Sequence, residues 1–189
     1  MKLAIFGGTF DPIHSAHLSV AREAARRFEL DRVLFVPAAH PPHKPDAGTP
    51  YKHRLRMVEL ACEGEPLFAA SDIESGAGKS YSIDTIERLQ SRLAVGDALF
   101  FIIGTDAFAE ILTWHRAADV LRSVEFIVVS RPGHEYAVPP GARVLRLDSM
   151  VLKVSSSAIR RALVAGAHPR ELPDKVFQYI QANGLYGTS

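Results

Sequence analysis

Two histidines spaced three residues apart give this sequence its first chemical feature. His14 and His17 lie in the segment GGTFDPIHSAHL, directly after the apolar residues KLAIF. On a helix this spacing puts both imidazoles on one face, with Cβ atoms roughly 5–6 Å apart. Gly7 and Gly8 let the preceding backbone turn tightly and come close to a ligand. The segment therefore predicts a tight turn followed by a helix that begins beside a bound group.

The position of these histidines indicates which group that is. A helix N-terminus favours anions, because its free N–H groups and the positive end of its dipole point outward. Two imidazoles there can donate hydrogen bonds to phosphate oxygens, and either ring can carry charge as negative charge builds up. The alternative is that His14 and His17 cap the turn or are ordinary polar surface residues. Two histidines on one face, after a Gly-Gly pair, favour the phosphate interpretation.

Apolar strand patterns alternate with helical patterns along the chain. Strands are predicted at KLAIF, RVLFVP, LFAAS, ALFFII, EFIVVS and RVLRL, and a helix carrying His17 at Ser15–Phe28. Continuous apolar strands separated by helices indicate a parallel sheet covered on both faces. We predict an α/β fold, a Rossmann-like doubly wound parallel sheet. It forms a single domain of residues 1–189, with a small C-terminal helical region at about 154–189.

Polar residues and glycines follow four of the predicted strands. The segments after these strand ends are GGTFDPIHSAH, PAAHPPHK, GTDAF and RPG. In an open parallel sheet, ligands bind outside the carboxyl ends of the strands, where the strand order reverses. The sequence therefore predicts one ligand site built from several strand ends.

The composition excludes several classes of protein. The chain has 22 Lys and Arg against 21 Asp and Glu, a net charge of +1, which argues against broad nucleic-acid binding. Cys62 is the only cysteine, so one chain forms neither a disulfide nor a cysteine-based zinc site. The apolar runs are too short to span a bilayer. We expect a soluble cytoplasmic protein that binds neither nucleic acid nor a membrane.

The motifs together resemble a known family. GGTFDPIHSAHL looks like the signature of the nucleotidylyltransferase superfamily. More closely, the chain is similar to the bacterial nicotinate-nucleotide adenylyltransferases, and the order and spacing agree over nearly the whole chain. The segments that carry this resemblance are GGTFDP, VPAAHPPHK, YSIDT, GTDAF followed by TWHR, VVSRPG and VSSSAIR.

Two positions depart from the family pattern. Ala16 stands where the family motif usually has glycine, which by resemblance lets the adenine ring lie close to the backbone. Ser157 stands where the family usually has threonine, and this change keeps the hydroxyl.

The resemblance implies a reaction. The 5′-phosphate of nicotinate mononucleotide attacks the α-phosphorus of ATP, pyrophosphate leaves, and nicotinate adenine dinucleotide forms. The displacement is direct and in line, with Mg²⁺ held mainly by the ATP phosphates and with no metal-ligating residues from the protein. Such chemistry asks the protein for positioning and for stabilisation of charge.

The resemblance also implies roles for residues at the phosphates. His14 and His17 are the catalytic residues, while Ser156 and Arg160 hold the β- and γ-phosphates; a serine-capped helix with an exposed arginine is the alternative. Asp106 accepts a hydrogen bond from a ribose hydroxyl, and its alternative is the N-cap of the helix in DAFAEIL. The residues implied for ATP are Gly7, Gly8, Thr9, Phe10, His14, His17, Gly104, Asp106, Ser156, Ile159 and Arg160.

A second set is implied for the mononucleotide. Trp114, the only tryptophan, stacks on the nicotinate ring, with a place in the core as its alternative. Thr85 helps to bind the nicotinate carboxylate, and an exposed helical threonine is the alternative that the sequence alone favours. Lys44 and Arg131 contact the mononucleotide or its phosphate; for each, a solvated loop charge is the alternative.

Other functions stay open from the sequence. A sibling nucleotidylyltransferase would use nicotinamide mononucleotide or another acceptor, and a non-catalytic module of the same fold would only bind nucleotides. The segments YSIDT and TWHR argue against phosphopantetheine as the acceptor. The oligomeric state is also open, a homo-oligomer included.

Overall fold

A parallel sheet of six strands organises the computed structural model of this chain, which describes residues 1–40, 48–76, 78–149 and 154–188. The strand order is β3-β2-β1-β4-β5-β6, and every neighbouring pair is parallel. This arrangement confirms the predicted α/β fold with a Rossmann-like sheet. The strands are β1 (Lys2–Gly8), β2 (Arg32–Pro37), β3 (Phe68–Ala70), β4 (Ala98–Gly104), β5 (Glu125–Ser130) and β6 (Arg143–Asp148).

Helices connect the strands and follow the last one. Two short 3-10 turns, Ile111–Thr113 and Leu185–Gly187, accompany them. The helices are α1 (Ser15–Phe28), α2 (Tyr51–Cys62), α3 (Ser82–Gln90), α4 (Thr105–Ala109), α5 (Ala117–Ser123), α6 (Ser156–Val164) and α7 (Asp174–Ala182). Among the described residues, no helix has the length and apolar character needed to cross a bilayer.

The sheet buries apolar side chains on both faces. Ala4 points to the face covered by α1, α2, α6 and α7, whereas its neighbours Leu3 and Ile5 point to the face covered by α3 and α5. This alternation is the two-residue period of a strand, and it explains why the strands read as continuous apolar runs. The helices of each face bring their own apolar stripe to the sheet.

The strand order reverses beside β1. Lys2–Gly8 pairs with β2 on one side and with β4 on the other, so the chain builds outward from β1 in both directions. The loops that leave β1 and β4 therefore diverge to opposite faces and leave a crevice between them. Three of the four predicted ligand-bearing strand ends, those of β1, β2 and β4, border this crevice.

Candidate active site

A cavity of about 240 Å³ lies at the carboxyl ends of β1, β2 and β4. Gly7, Gly8 and Thr9 line one side, and Gly104 lies at the end of the neighbouring strand. Thr85 from α3 and Trp114, which follows the first 3-10 turn, line the cavity as well. The structure thus brings together residues predicted for two different substrates at the point where the strand order reverses.

Gly8 leaves room for the ring of its neighbour Phe10. A Cβ on Gly8 would lie 3.0–3.2 Å from three atoms of the Phe10 ring, whereas a Cβ on Gly7 would make an ordinary 3.5 Å contact with Phe101. Phe10 adopts a left-handed backbone conformation, with φ of 50°. Its buried ring packs edge-on against His17, with ring centroids 5.0 Å apart. Phe10 is therefore a support for the histidine, and Gly8 makes room for that support.

His14 and His17 stack on each other at the start of α1. Their ring centroids are 3.7 Å apart, with 25° between the planes. His14 is the N-cap residue of α1, and its backbone N–H donates to Nδ1 of His17 at 3.2 Å. Because Nδ1 of His17 accepts this hydrogen bond, the ring proton belongs on Nε2, which is then a donor. The pair confirms the expected shared face and adds a fixed tautomer.

Both imidazoles are neutral at neutral pH in this arrangement. Burial lowers the pKa of His14 from 6.5 to about 4. Burial also lowers the pKa of His17 well below 6.5, and a positive charge on the adjacent His14 would lower it further. Burial thus opposes protonation of either ring in the absence of a bound anion. The rings can act as neutral hydrogen-bond donors.

The N-terminus of α1 has fewer free N–H groups than the sequence suggests. The backbone N–H of Ser15 donates to the carbonyl of Glu171 at 2.7 Å. Ala16, at the position where the family has glycine, is buried, so its methyl group is enclosed by protein. The first N–H of α1 is therefore already used within the protein.

The N-terminal end of α6 lies against the β1–α1 loop, residues 9–14. Ser156 donates its hydroxyl to the carbonyl of Pro12 at 2.9 Å, and Arg160 donates from Nη1 to the carbonyl of Asp11 at 2.6 Å. Ser155 caps the helix by accepting the N–H of Ala158 at 3.2 Å. The two predicted phosphate ligands are thus close to the histidine pair, and both already hold the loop. The side chain of Ile159 is buried in the core against α1.

Two residues predicted for the mononucleotide line the cavity with defined contacts. Thr85 is buried and donates its hydroxyl to Oε1 of Glu74 at 2.7 Å, so the alternative of an exposed helical threonine is wrong. Thr85 is one of the buried residues of α3, together with Ile83, Ile86 and Leu89. Trp114 packs edge-on against Phe101, with centroids 6.0 Å apart, and remains partly exposed at the cavity wall. A flat aromatic surface is therefore available there.

Two other predicted residues lie apart from these contacts, and a third lies outside the described residues. Asp106 is exposed in the first turn of α4, whose N-cap is Gly104, so the N-cap alternative for Asp106 is wrong. Gly104 takes the cap position because its backbone is extended, whereas Asp106 is already within the helix. Arg131 is exposed after β5 and is not among the residues that line the cavity. Lys44 lies outside the described residues.

The sequence reasoning missed Arg54, a fully buried arginine on α2. Its guanidinium donates to the carbonyls of Thr9 at 2.7 Å and Ala38 at 2.8 Å, which joins the loops after β1 and β2. It also donates to Thr49 at 3.0 Å and Ala39 at 3.4 Å. A signal was present in the sequence, because the helical spacing puts Arg54 on the same apolar face of α2 as Met57, Val58 and Ala61. A cation on that stripe needs buried acceptors.

Glu74 was missed too, and it places a carboxyl group at the cavity wall. It lies in the segment between β3 and α3, and it accepts the Thr85 hydroxyl. Burial raises the pKa of Glu74, and the hydrogen bond from Thr85 opposes that rise. Because the segment has no helical or strand period, nothing in the local pattern could indicate this contact.

Comparisons with known proteins agree with this geometry. Residues 5–162 match the cytidylyltransferase-like family. A probable nicotinate-nucleotide adenylyltransferase of Solibacter usitatus is 58% identical, covering 98% of this chain and 100% of the relative. One of Exiguobacterium sibiricum is 42% identical over 100% of both chains. The fold is similar to that of the Plasmodium falciparum nicotinic acid mononucleotide adenylyltransferase complexed with NaAD, with a TM-score of 0.79, 20% identity and coverage of 100% and 98%. The chain belongs to the cytidylyltransferase-like family, among its nicotinate-nucleotide adenylyltransferases.

Proposed function

We propose that this chain transfers the adenylyl group of ATP to nicotinate mononucleotide, with release of pyrophosphate and formation of nicotinate adenine dinucleotide. The observation that carries the proposal is the continuity of two sites. Phe6 lines the cavity that contains Trp114, and its ring also contacts His17, with centroids 5.9 Å apart. We infer that an acceptor whose ring stacks on Trp114 directs its phosphate toward the histidine pair, which lies beyond Phe6.

The proposed chemistry is one in-line displacement. A phosphate oxygen of the mononucleotide forms a bond to the α-phosphorus as the bond from that phosphorus to the β-bridging oxygen breaks, and pyrophosphate carries the electron pair away. Nε2–H of His17 donates to a non-bridging oxygen as charge builds up there, and His14 holds His17 in place. Arg160 has donors beyond the two it gives to the loop and to Ser157, and these bind the leaving phosphates.

Mg²⁺ enters this proposal as part of the ATP substrate. No group of three His, Cys, Asp or Glu side chains within residues 1–40, 48–76, 78–149 and 154–188 is placed to hold a metal ion. The donors around His17 are imidazole and guanidinium N–H groups, which suit phosphate oxygens and not a cation. The ion bound to ATP would neutralise phosphate charge, while the residues of this chain position the phosphates.

A cytoplasmic location belongs to the same proposal. ATP is the substrate, and Cys62 is a buried free thiol. Free thiols are usual in reducing compartments. Burial raises the pKa of Cys62 to about 12, which leaves the thiol unreactive.

The acceptor is tested by pyrophosphate release from ATP with a panel of acceptors. We expect kcat/KM for nicotinate mononucleotide to exceed that for the amide by about tenfold or more, because a charge-assisted hydrogen bond is roughly twice as strong as a neutral one. The Thr85 hydroxyl already donates to Glu74. The proposed donor to the nicotinate carboxylate is therefore the first backbone N–H of α3, at Ser82 on the cavity wall. Equal kcat/KM values for the acid and the amide would contradict the proposed acceptor.

Trp114→Ala should weaken the acceptor far more than ATP. Stacking of a base on an aromatic side chain contributes roughly 1–3 kcal/mol, so KM for the mononucleotide should rise by about 5- to 150-fold. Trp114→Phe should recover part of the loss because it keeps a flat ring. Leu112→Ala is the matched control, since Leu112 is an exposed apolar residue two positions earlier. A KM increase confined to ATP would put Trp114 at the other substrate.

A further inference from the structure

Tyr186, in the 3-10 turn that follows α7, contacts the loop that precedes the histidine pair. Its hydroxyl donates to Oδ1 of Asp11 at 2.6 Å, across 175 positions of sequence. Asp11 is 5% exposed, so its carboxylate depends on protein donors. Burial and the bond to Asp11 raise the pKa of Tyr186, which keeps the hydroxyl protonated as a donor.

Asp11 is held at its backbone as well as at its side chain. Its carbonyl accepts from Nη1 of Arg160 at 2.6 Å, and the carbonyl of the next residue, Pro12, accepts from Ser156. The segment from Asp11 to Pro12 is thus attached to α6 by two bonds and to the turn at Tyr186 by a third. His14, two residues beyond Pro12, is the N-cap of α1.

The charge of Asp11 also reaches Arg54. Burial lowers the pKa of Arg54, and the negative charge of Asp11 opposes this change. Arg54 in turn holds the carbonyl of Thr9, two residues before Asp11. Two residues therefore hold the loop near Asp11: Arg54 of α2 bonds to the carbonyl of Thr9, and Tyr186 bonds to the Asp11 carboxylate. The charge of Asp11 acts on both of them.

We propose that Tyr186 is a positioning residue for adenylyl transfer, which acts through Asp11 to fix the loop that presents His14 and His17. This inference rests on the proposed function for its kinetic consequence. It assigns a chemical task to residues 185–187, a segment that contains none of the predicted site residues. Since the hydroxyl does not touch the reacting atoms, its loss should change how well the imidazoles are placed and leave substrate binding largely unchanged.

The test is a double-mutant cycle with a matched tyrosine control. Tyr186→Phe keeps the ring and removes only the donor, and we expect kcat to fall by about 10- to 100-fold, the cost of a small misplacement, with both KM values within about threefold. In an Asp11→Ala background, where the Tyr186 hydroxyl has lost its carboxylate acceptor, the same change should lower kcat by less than about threefold. Tyr179→Phe is the control, because the Tyr179 hydroxyl also makes a partly buried contact. This contact is to Nδ1 of His53 at 2.8 Å and lies away from the loop.

Two results would overturn the proposal. One is a kcat for Tyr186→Phe equal to that of the parent or of Tyr179→Phe, and the other is additive effects of the two changes in the cycle. All assays are run well below the melting temperature of each variant, so a lower melting temperature alone does not mimic the effect. Should Tyr186→Phe fail to fold, Asp11→Ala alone carries the test, because it removes the acceptor of the Tyr186 hydroxyl, and a kcat within twofold of the parent overturns the proposal.

A readout that does not need turnover separates this inference from the proposed function. The ring resonances of His14 and His17 in NMR spectra should shift in Tyr186→Phe and stay unchanged in Tyr179→Phe. A parent enzyme that makes no dinucleotide refutes the proposed function, whereas unchanged ring resonances refute the role of Tyr186.

Discussion

Replacing His17 with alanine is expected to lower kcat by about 10²–10³-fold and to leave the fold intact. This is the usual scale for losing one preorganised donor, or about 2.7–4 kcal/mol of transition-state stabilisation. The hydrogen bond from the His14 backbone to Nδ1 leaves Nε2–H of His17 as a donor that needs no reorientation during the reaction. Steady-state kinetics of the purified variant, beside its melting temperature, give the measurement.

The control for His17→Ala is the same change at His53. The His53 ring contacts Tyr179 on the face of α2 away from the cavity, so His53→Ala should keep kcat within about twofold. A His17→Ala enzyme with near-normal kcat would make His17 a structural residue. The same conclusion would follow if His17→Ala and His53→Ala had equal kcat once each value was corrected for the fraction of folded protein.

We expect Arg54→Met to lower the free energy of unfolding by about 3–5 kcal/mol. The change keeps an apolar stem of similar length but leaves buried carbonyl groups without the donors that they have in the parent, each at a cost of about 1–3 kcal/mol. Because Arg54 joins the loops after β1 and β2, we expect activity to fall even at temperatures where the variant is folded. Urea unfolding gives the free energy of unfolding for the variant and the parent.

Arg56→Met is the matched control on the same helix. Arg56 is exposed and pairs with Glu59 at 2.8 Å, and exposed ion pairs contribute little to stability because solvent screens them. The contrast between Arg54 and Arg56, two residues apart on α2, isolates the effect of burial. A loss of less than about 1 kcal/mol for Arg54→Met would show that the loop carbonyls find other donors or water.

Local sequence pattern predicted the elements better than the contacts between them. The helix Ser15–Phe28 matches its expected bounds because its apolar residues keep helical spacing up to Phe28, and Glu29 ends it in a left-handed conformation. The strand predicted at LFAAS is shorter, since only Phe68–Ala70 pairs with β2. An edge strand has one partner, and its length depends on that pairing and not on its own residues.

The candidate site shows the same limit in chemical terms. His14 and His17 could be found from their spacing because both lie on one short segment. The donors that hold their loop are far away in sequence, at Arg54, Arg160 and Tyr186, and their acceptors are mostly backbone carbonyls. Every residue has a backbone carbonyl, so residue type does not indicate which carbonyl accepts a given hydrogen bond. These partners can be identified only in the folded structure.

The central place of β1 has a consequence for synthesis. β1 precedes the other described strands along the chain, and its Lys2 pairs with Ala98, which is made 96 positions later. At about 5–20 residues per second, the edge of β1 that β4 will cover stays open for about 5–20 s. An open apolar strand edge is a template for aggregation. We therefore expect the nascent chain to be most prone to aggregation during this interval, and Tyr186 can bond to Asp11 only after a further 175 positions have been synthesised.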